Sequence, residues 1–137
     1  MSKYEKLITY SDGGARGNPG PAGIGAVIYD QNKKIVAEIS EYIGKTTNNQ
    51  AEYKACLAAV KKCAALEATE VECFLDSELV VKQLNREYKV KNAGLAPLFL
   101  QVYNLSMAFK KISFHHVRRE YNKEADALAN EAMDRGK

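Results

Sequence analysis

Three strand-length stretches follow one another near the N-terminus with only short breaks between them, and this opening limits the folds available to the chain. Leu7 to Asp12 alternates, with Ile8, Tyr10 and Asp12 on one side and Leu7, Thr9 and Ser11 on the other, the period-two pattern of a strand. The run from Gly13 to Pro21 holds four glycines and two prolines and reads as a turn-rich loop. Ala22 to Tyr29 supplies a second strand, Asp30 to Lys33 a hairpin connection, and Lys34 to Ile43 a third strand. Strands joined this tightly pair antiparallel.

The pattern then switches. Asn48 or Asn49 can cap a helix running to Leu66. Val71 to Leu75 is an apolar run of strand length, and Ser77 to Arg86 reads as a helix. Asn92-Ala93-Gly94 breaks the chain before a helix over Leu95 to Phe109, where Pro97 is tolerated in the first turn. Ile112 to Val117 is a fifth strand. Asn122 caps a last helix, with Ala125, Leu128, Ala129, Ala132 and Met133 at core spacing. The order β-β-β-α-β-α-α-β-α predicts an α/β fold with a mixed sheet covered by helices, the later strands reached by right-handed crossovers.

A chain of 137 residues, 46% apolar and 27% charged, suits one soluble domain over 1–137 with a real core. No apolar run approaches the roughly 20 residues of a membrane span. Met1 to Lys6 runs straight into the first strand without a signal-peptide core, so a cytoplasmic protein without membrane partners is expected. A net charge of +3 does not by itself argue for nucleic acid. Lys82, Arg86, Lys89 and Lys91 cluster, as do Lys110, Lys111, Arg118 and Arg119, and such groups are most often a wetted surface. Cys56, Cys63 and Cys73 lack metal-ligand spacing; the first two read as small core residues of one helix face.

Four acidic residues stand in settings that a solvated carboxylate does not need. Asp12 and Asp76 each end a strand, where α/β sheets gather ligands, and they stand side by side if their strands are neighbours. Glu52 shares a helix stripe with Cys56, Ala59 and Cys63, opposite Lys54, Lys61 and Lys62. Asp126 shares one with Ala129, Asn130 and Met133. Taken singly, each has an ordinary use: Asp126 and Glu52 complement helix dipoles, Asp12 serves a turn beside Gly13 and Gly14, and Asp76 caps a helix. Gathered, the four repel as anions and call for cations, and hard divalent metals such as magnesium take such oxygen ligands.

Taken in order, Tyr10-Ser11-Asp12-Gly13-Gly14, then Gly17 to Gly23, Thr46 to Glu52, Asp76-Ser77 and Asn122 to Ala129 resemble the type-1 ribonucleases H over essentially the whole chain. The resemblance implies a ribonuclease H-like fold: a five-stranded mixed sheet with the first strand central and helices on both faces. It also implies that Asp12, Glu52, Asp76 and Asp126 hold two Mg2+ per site, with Mn2+ able to substitute. Their task would be hydrolysis of the RNA strand of RNA–DNA hybrids, leaving 5′-phosphate and 3′-hydroxyl. Asp12 would bridge the ions, Glu52 and Asp76 would sit nearer the leaving oxygen, and Asp126 would hold the ion that carries the attacking water.

The same likeness assigns Gly14, Ala15, Asn18, Asn48, Asn49 and Gln50 to the minor groove and Lys45, Thr47 and Asn92 to a pocket for a DNA phosphate. Lys45 stands where an arginine is common, which weakens that pocket. Two departures stand out. The family's loop histidine is absent from Arg118-Arg119-Glu120-Tyr121, so Arg118 or Arg119 would take over part of its work. His115 and His116 belong to the preceding strand, one facing inward and one outward. A basic, tryptophan-bearing handle is also missing, since only Asn85 to Ala93 is available and the chain has no tryptophan; weaker and more salt-sensitive substrate binding follows. The expected form is a short, monomeric enzyme without a hybrid-binding domain. The alternatives are the same site acting also on RNA–RNA duplexes, and a non-catalytic nucleic-acid-binding module.

Overall fold

The alternation of the first strand persists further than its apolar residues alone indicate. In the computed structural model, which describes residues 4–137, β1 runs from Tyr4 to Ala15. The stretch Met1 to Lys3, expected to lead into it, lies outside the described residues. Gly13, Gly14 and Ala15 do not turn: they stay in the ladder, paired with Ile24, Gly23 and Ala22 of β2 (Gly20–Asp30). The expected loop therefore shrinks to 16–19. The hairpin to β3 (Ile35–Thr46) falls where Asp30 to Lys33 predicted it, because Asp30 Oδ1 accepts from the amides of Asn32 and Lys34 while Lys33 adopts a φ of 64°.

α1 covers Asn48–Ala65. Its cap is Thr47, not Asn48 or Asn49: the Thr47 side chain accepts from the Gln50 amide, and Gln50 Oε1 reaches back to the Thr47 amide. β4 spans Ala68–Leu75, longer than its apolar run. Ser77 caps α2 (Glu78–Leu84), so Asp76 is not the cap, and Arg86, at φ 61°, ends the helical conformation early. α3 spans Ala96–Ser106 with Pro97 in its first turn, and β5 spans Lys111–His116. Arg119–Tyr121 forms one 3-10 turn inside the expected loop. α4 spans Lys123–Arg135, with Asn122 at the cap position but without a capping side-chain bond, and ends on Gly136 at φ 63°.

The sheet order is β3-β2-β1-β4-β5. β1 is central, antiparallel to β2 and parallel to β4; β2 and β3 are antiparallel, and β4 and β5 parallel. Crossovers through α1 and through α2 and α3 supply the parallel pairs. β2 is buried almost throughout because both of its faces are covered. One face carries the large core, including Leu7, Ile28, Tyr53, Val60, Leu75, Val80 and Val102, under α1, α2 and α3. α4 lies on the other, where Gly23 and Gly25 meet the backbone of Ala125 and Ala129. Among the described residues, no helix is long and apolar enough to cross a membrane.

Candidate active site

β1 and β4 run side by side, with Ser11 opposite Leu75, so the next residues, Asp12 and Asp76, come together where β4 ends. Asp12 does not end its own strand as expected, because β1 continues to Ala15 along β2. Glu52 comes to them through a close helix approach. A side chain on Gly13 would place its Cβ 2.2 Å from the Ala51 carbonyl oxygen, so only glycine lets α1 lie this near β1. Gly25 does the same for α4, since a Cβ there would stand 2.2 Å from the Ala125 oxygen. Gly25 is the register partner of Asp12, so this approach brings Asp126 to Asp12. The sequence marks Gly13 but not Gly25, and the use of Gly13 is closeness and not the sharp turn expected after Asp12.

One carboxylate oxygen from each of Asp12, Glu52 and Asp76 lies within 4.8 Å of the others. Asp126 adds a side-chain hydrogen bond to Asp12. The group lines a cleft of about 490 Å³, together with Gly14, Asn48, Arg119 and Asn130. Burial above all, then the Asp76 charge, the bond to Asp126 and the charges of Asp126 and Glu52 push the Asp12 carboxyl up to about 8. Glu52 rises to about 7, chiefly through burial; a hydrogen bond with Ser77 pulls it down, Asp76 pushes it up and Arg119 lowers it. Without cations, Asp12 thus keeps its proton near neutrality. An all-oxygen donor set, closely spaced and holding a displaceable proton, fits divalent cations.

The two arginines separate. Arg119 lines the cleft, with Nη2 3.9 Å from Asp126 Oδ1. Arg118 faces away, 3.7 Å from Glu120, and does not line it. His115 packs on Phe74 with ring centroids 5.0 Å apart and bonds Ser113, while His116 is exposed, so neither reaches the cleft.

Of the expected minor-groove residues, Gly14, Ala15 and Asn48 line the cleft, and Asn18 joins them through Asn48. Asn48 Oδ1 accepts from the Ala15 amide at 2.8 Å, and Asn18 Oδ1 accepts from the Asn48 amide at 3.1 Å. Each carboxamide thereby commits its oxygen to a backbone amide, and its NH2 makes no hydrogen bond among the described residues. Asn49 is exposed beside them. Gln50 differs: its oxygen takes the Thr46 hydroxyl and its nitrogen donates to the Gly94 carbonyl, which makes it a strut. That strut joins Thr47 to Gly94, whose amide donates to Asn92 Oδ1 at 2.7 Å. Thr47 and Asn92, far apart in sequence, therefore belong to one bonded chain, with exposed Lys45 at the adjoining end of β3. Of the basic cluster, Lys82 pairs with Glu78 and Arg86 lies over the Tyr103 ring, while Lys89 and Lys91 are exposed. Sequence reasoning missed Ser77 as a partner of Glu52 and the inward use of Asn122, described below.

A family model described as reverse transcriptase-like matches residues 10–132. The bifunctional protein Rv2228c of Mycobacterium tuberculosis is 43% identical over 94% of this chain, which spans about a third (36%) of that protein's length. The solved N-terminal RNase H domain of that protein has a TM-score of 0.92, with 94% of this chain and 99% of that one covered. RNase H1 of Halobacterium salinarum gives a TM-score of 0.92 at 42% identity, covering 95% and 98%. LC11-RNase H1, isolated from compost by a metagenomic approach and solved in complex with an RNA/DNA hybrid, gives 0.88 at 46% identity, covering 94% and 97%.

Proposed function

The chain belongs to the type-1 ribonuclease H family, and we propose that it hydrolyses the RNA strand of RNA–DNA hybrids, leaving 5′-phosphate and 3′-hydroxyl ends. The observation that carries this reading is the meeting of three carboxylate oxygens within 4.8 Å in a cleft that Asn48 and Arg119 also line. A module that only bound nucleic acid would gain nothing from an anionic floor, which repels phosphate.

Asp12, Glu52, Asp76 and Asp126 would hold two divalent cations, Mg2+ or Mn2+. Bound there, such ions lower the pKa of an attacking water and offset charge on the phosphate and the leaving oxygen. The chain's own groups do the rest. Asp12, on which the other three acids all act, would serve both halves of the site. Ser77 steadies Glu52 through their hydrogen bond. Arg119 carries a fixed positive charge at the cleft wall, where it attracts the scissile phosphate in place of a loop histidine. The NH2 groups of Asn18 and Asn48, with Asn49 and the backbone at Gly14 and Ala15, face the minor groove of an A-form-like hybrid, where 2′-hydroxyls are displayed. Lys45, the Thr47 hydroxyl and the Asn92 amide would grip a DNA phosphate. Two features support a monomer of the cytoplasm: all four acids come from one chain, and the three buried cysteines are unpaired thiols, as suits a reducing compartment.

The test is incubation of the purified chain with end-labelled RNA–DNA, RNA–RNA and DNA–DNA duplexes in Mg2+, in Mn2+ and in chelator. Metal-dependent internal cleavage of RNA in the hybrid is expected. Cleavage that persists in chelator, or none on the hybrid with either metal, would sink the proposal.

A further inference from the structure

Asn122 occupies the cap position of α4, yet its side chain does not cap. It is 1% exposed, and its carboxamide nitrogen crosses to β1 and donates to the Ser11 carbonyl at 2.8 Å. The residue following Ser11 is Asp12. The Asn122 carbonyl accepts the amide of Asp126 at 3.0 Å, the first hydrogen bond of the helix. Its own amide donates to the Arg119 carbonyl at 2.9 Å, closing the 3-10 turn. Three bonds from one buried residue thus reach the backbone of Arg119, of Asp126 and of the neighbour of Asp12.

The geometry has a plain consequence. Asp12 lies on β1 and Asp126 on α4, elements joined in sequence only through most of the chain. Glycine at position 25 permits α4 to approach but does not set where along the strand its first turn stops. A directional hydrogen bond between Asn122 and Ser11 does set it. Ala125, next to Asp126, is wholly buried, so the first turn has little freedom to adjust once that bond is made. We infer that Asn122 is a positioning residue of the catalytic site: its carboxamide fixes the separation between Asp12 and Asp126, and with it the affinity for a cation that these two acids would hold together. This rests on the activity proposed above.

A merely structural asparagine would lower stability and leave cation binding alone, so the decisive readout is binding. Manganese affinity is measured by electron paramagnetic resonance and magnesium affinity by calorimetry. The proteins are the wild type, Asn122→Ala, Asn122→Asp, Asp126→Ala, the Asn122→Ala/Asp126→Ala double variant, and Val102→Ala as a control that cuts into the core beneath α3, away from the cleft. Melting temperature and hybrid cleavage (kcat and KM) are followed in parallel. Asn122→Ala should bind the cation about 10–100-fold more weakly and lose kcat with KM for hybrid unchanged. Asn122→Asp should lose affinity as well. That outcome is the more telling because an added carboxylate on its own would attract cations, whereas it cannot donate to the Ser11 oxygen. Val102→Ala should melt earlier with wild-type cation affinity. In the Asp126→Ala background, removing Asn122 should weaken binding no further. Wild-type affinity in both Asn122 variants, or a full additional loss in the double variant, overturns the inference. A wild-type protein that binds cations but cleaves no hybrid overturns the proposed activity while the binding comparison still stands or falls on its own.

Discussion

On one face of the central sheet, α1 rests on large side chains: Tyr53, Leu57 and Val60 interlock with Leu7, Ile28, Val71 and Leu75. On the other face α4 comes closer with smaller groups: Ala125 and Ala129 meet Gly25, and Ala129 and Ala132 meet Gly23, with Leu128 and Met133 beside them. The first contact removes much apolar area from water and tolerates small adjustments of shape. The second brings helix backbone against strand backbone along its first turns, as α1 does only at Gly13, and allows few. Glu52 arrives by way of the first face and Asp126 by way of the second, so the acid group is assembled from a thickly packed half and a thinly packed half that meet at Asp12.

Four experiments can break or sharpen that contrast. The largest effect falls on the shared acid. Asp12→Asn should cut hybrid cleavage on the order of 10²–10³-fold or more, because both halves lose their common ligand, with KM changed far less. Steady-state kinetics decides, and a loss within tenfold would show that the halves act independently.

Next comes the thick face. Leu7→Ala should cost about 2–5 kcal/mol by urea unfolding, with the whole protein melting in one step. Gly25→Ala should cost less, about 1–3 kcal/mol, because α4 alone must move away from the intruding methyl. Its signature is local: amide exchange should quicken in α4 and stay slow in α1, and Asp126-dependent cation binding should weaken. Uniform quickening across both helices would erase the distinction between the faces.

The smallest effect is on acid–base behaviour. Asp12 at about 8 and Glu52 at about 7 lie above unfolded carboxyls at about 4. The folded state therefore binds more protons than the unfolded state, and in chelator stability should fall as pH rises through that window, from about 4 to about 8. Magnesium or Asp12→Asn should flatten the slope. A melting temperature in chelator that stays level over that range would remove the burial and crowding of these two carboxyls as an energetic feature.

Much of this arrangement was legible in the chain. The alternation at Leu7 to Asp12 and the tight links that follow were enough for the antiparallel start, and the spacing of Glu52 with Cys56 and Cys63 pointed that acid inward. What escaped notice depends on contacts between distant segments. A glycine after a strand-like run looks like a turn; that Gly13 admits the Ala51 backbone is visible only once α1 is in place. An asparagine before a helix looks like a cap; that Asn122 reaches Ser11 requires β1 beside it. Thr47 outcompeted Asn48 as the cap because Gln50 completes the reciprocal pair, while Asn48 is drawn to Ala15. Arg118 and Arg119 are alike in sequence, and only the 3-10 turn sends one toward the cleft and the other away.

The backbone-bound oxygens of Asn18 and Asn48 carry a consequence for nucleic-acid analogues. The two NH2 groups of these asparagines can be satisfied by any atom with a lone pair, whether or not that atom carries a hydrogen. RNA bearing 2′-fluoro groups would keep its hold on these groups, whereas 2′-O-methyl groups, bulkier at the same place, would be turned away by shape rather than by chemistry.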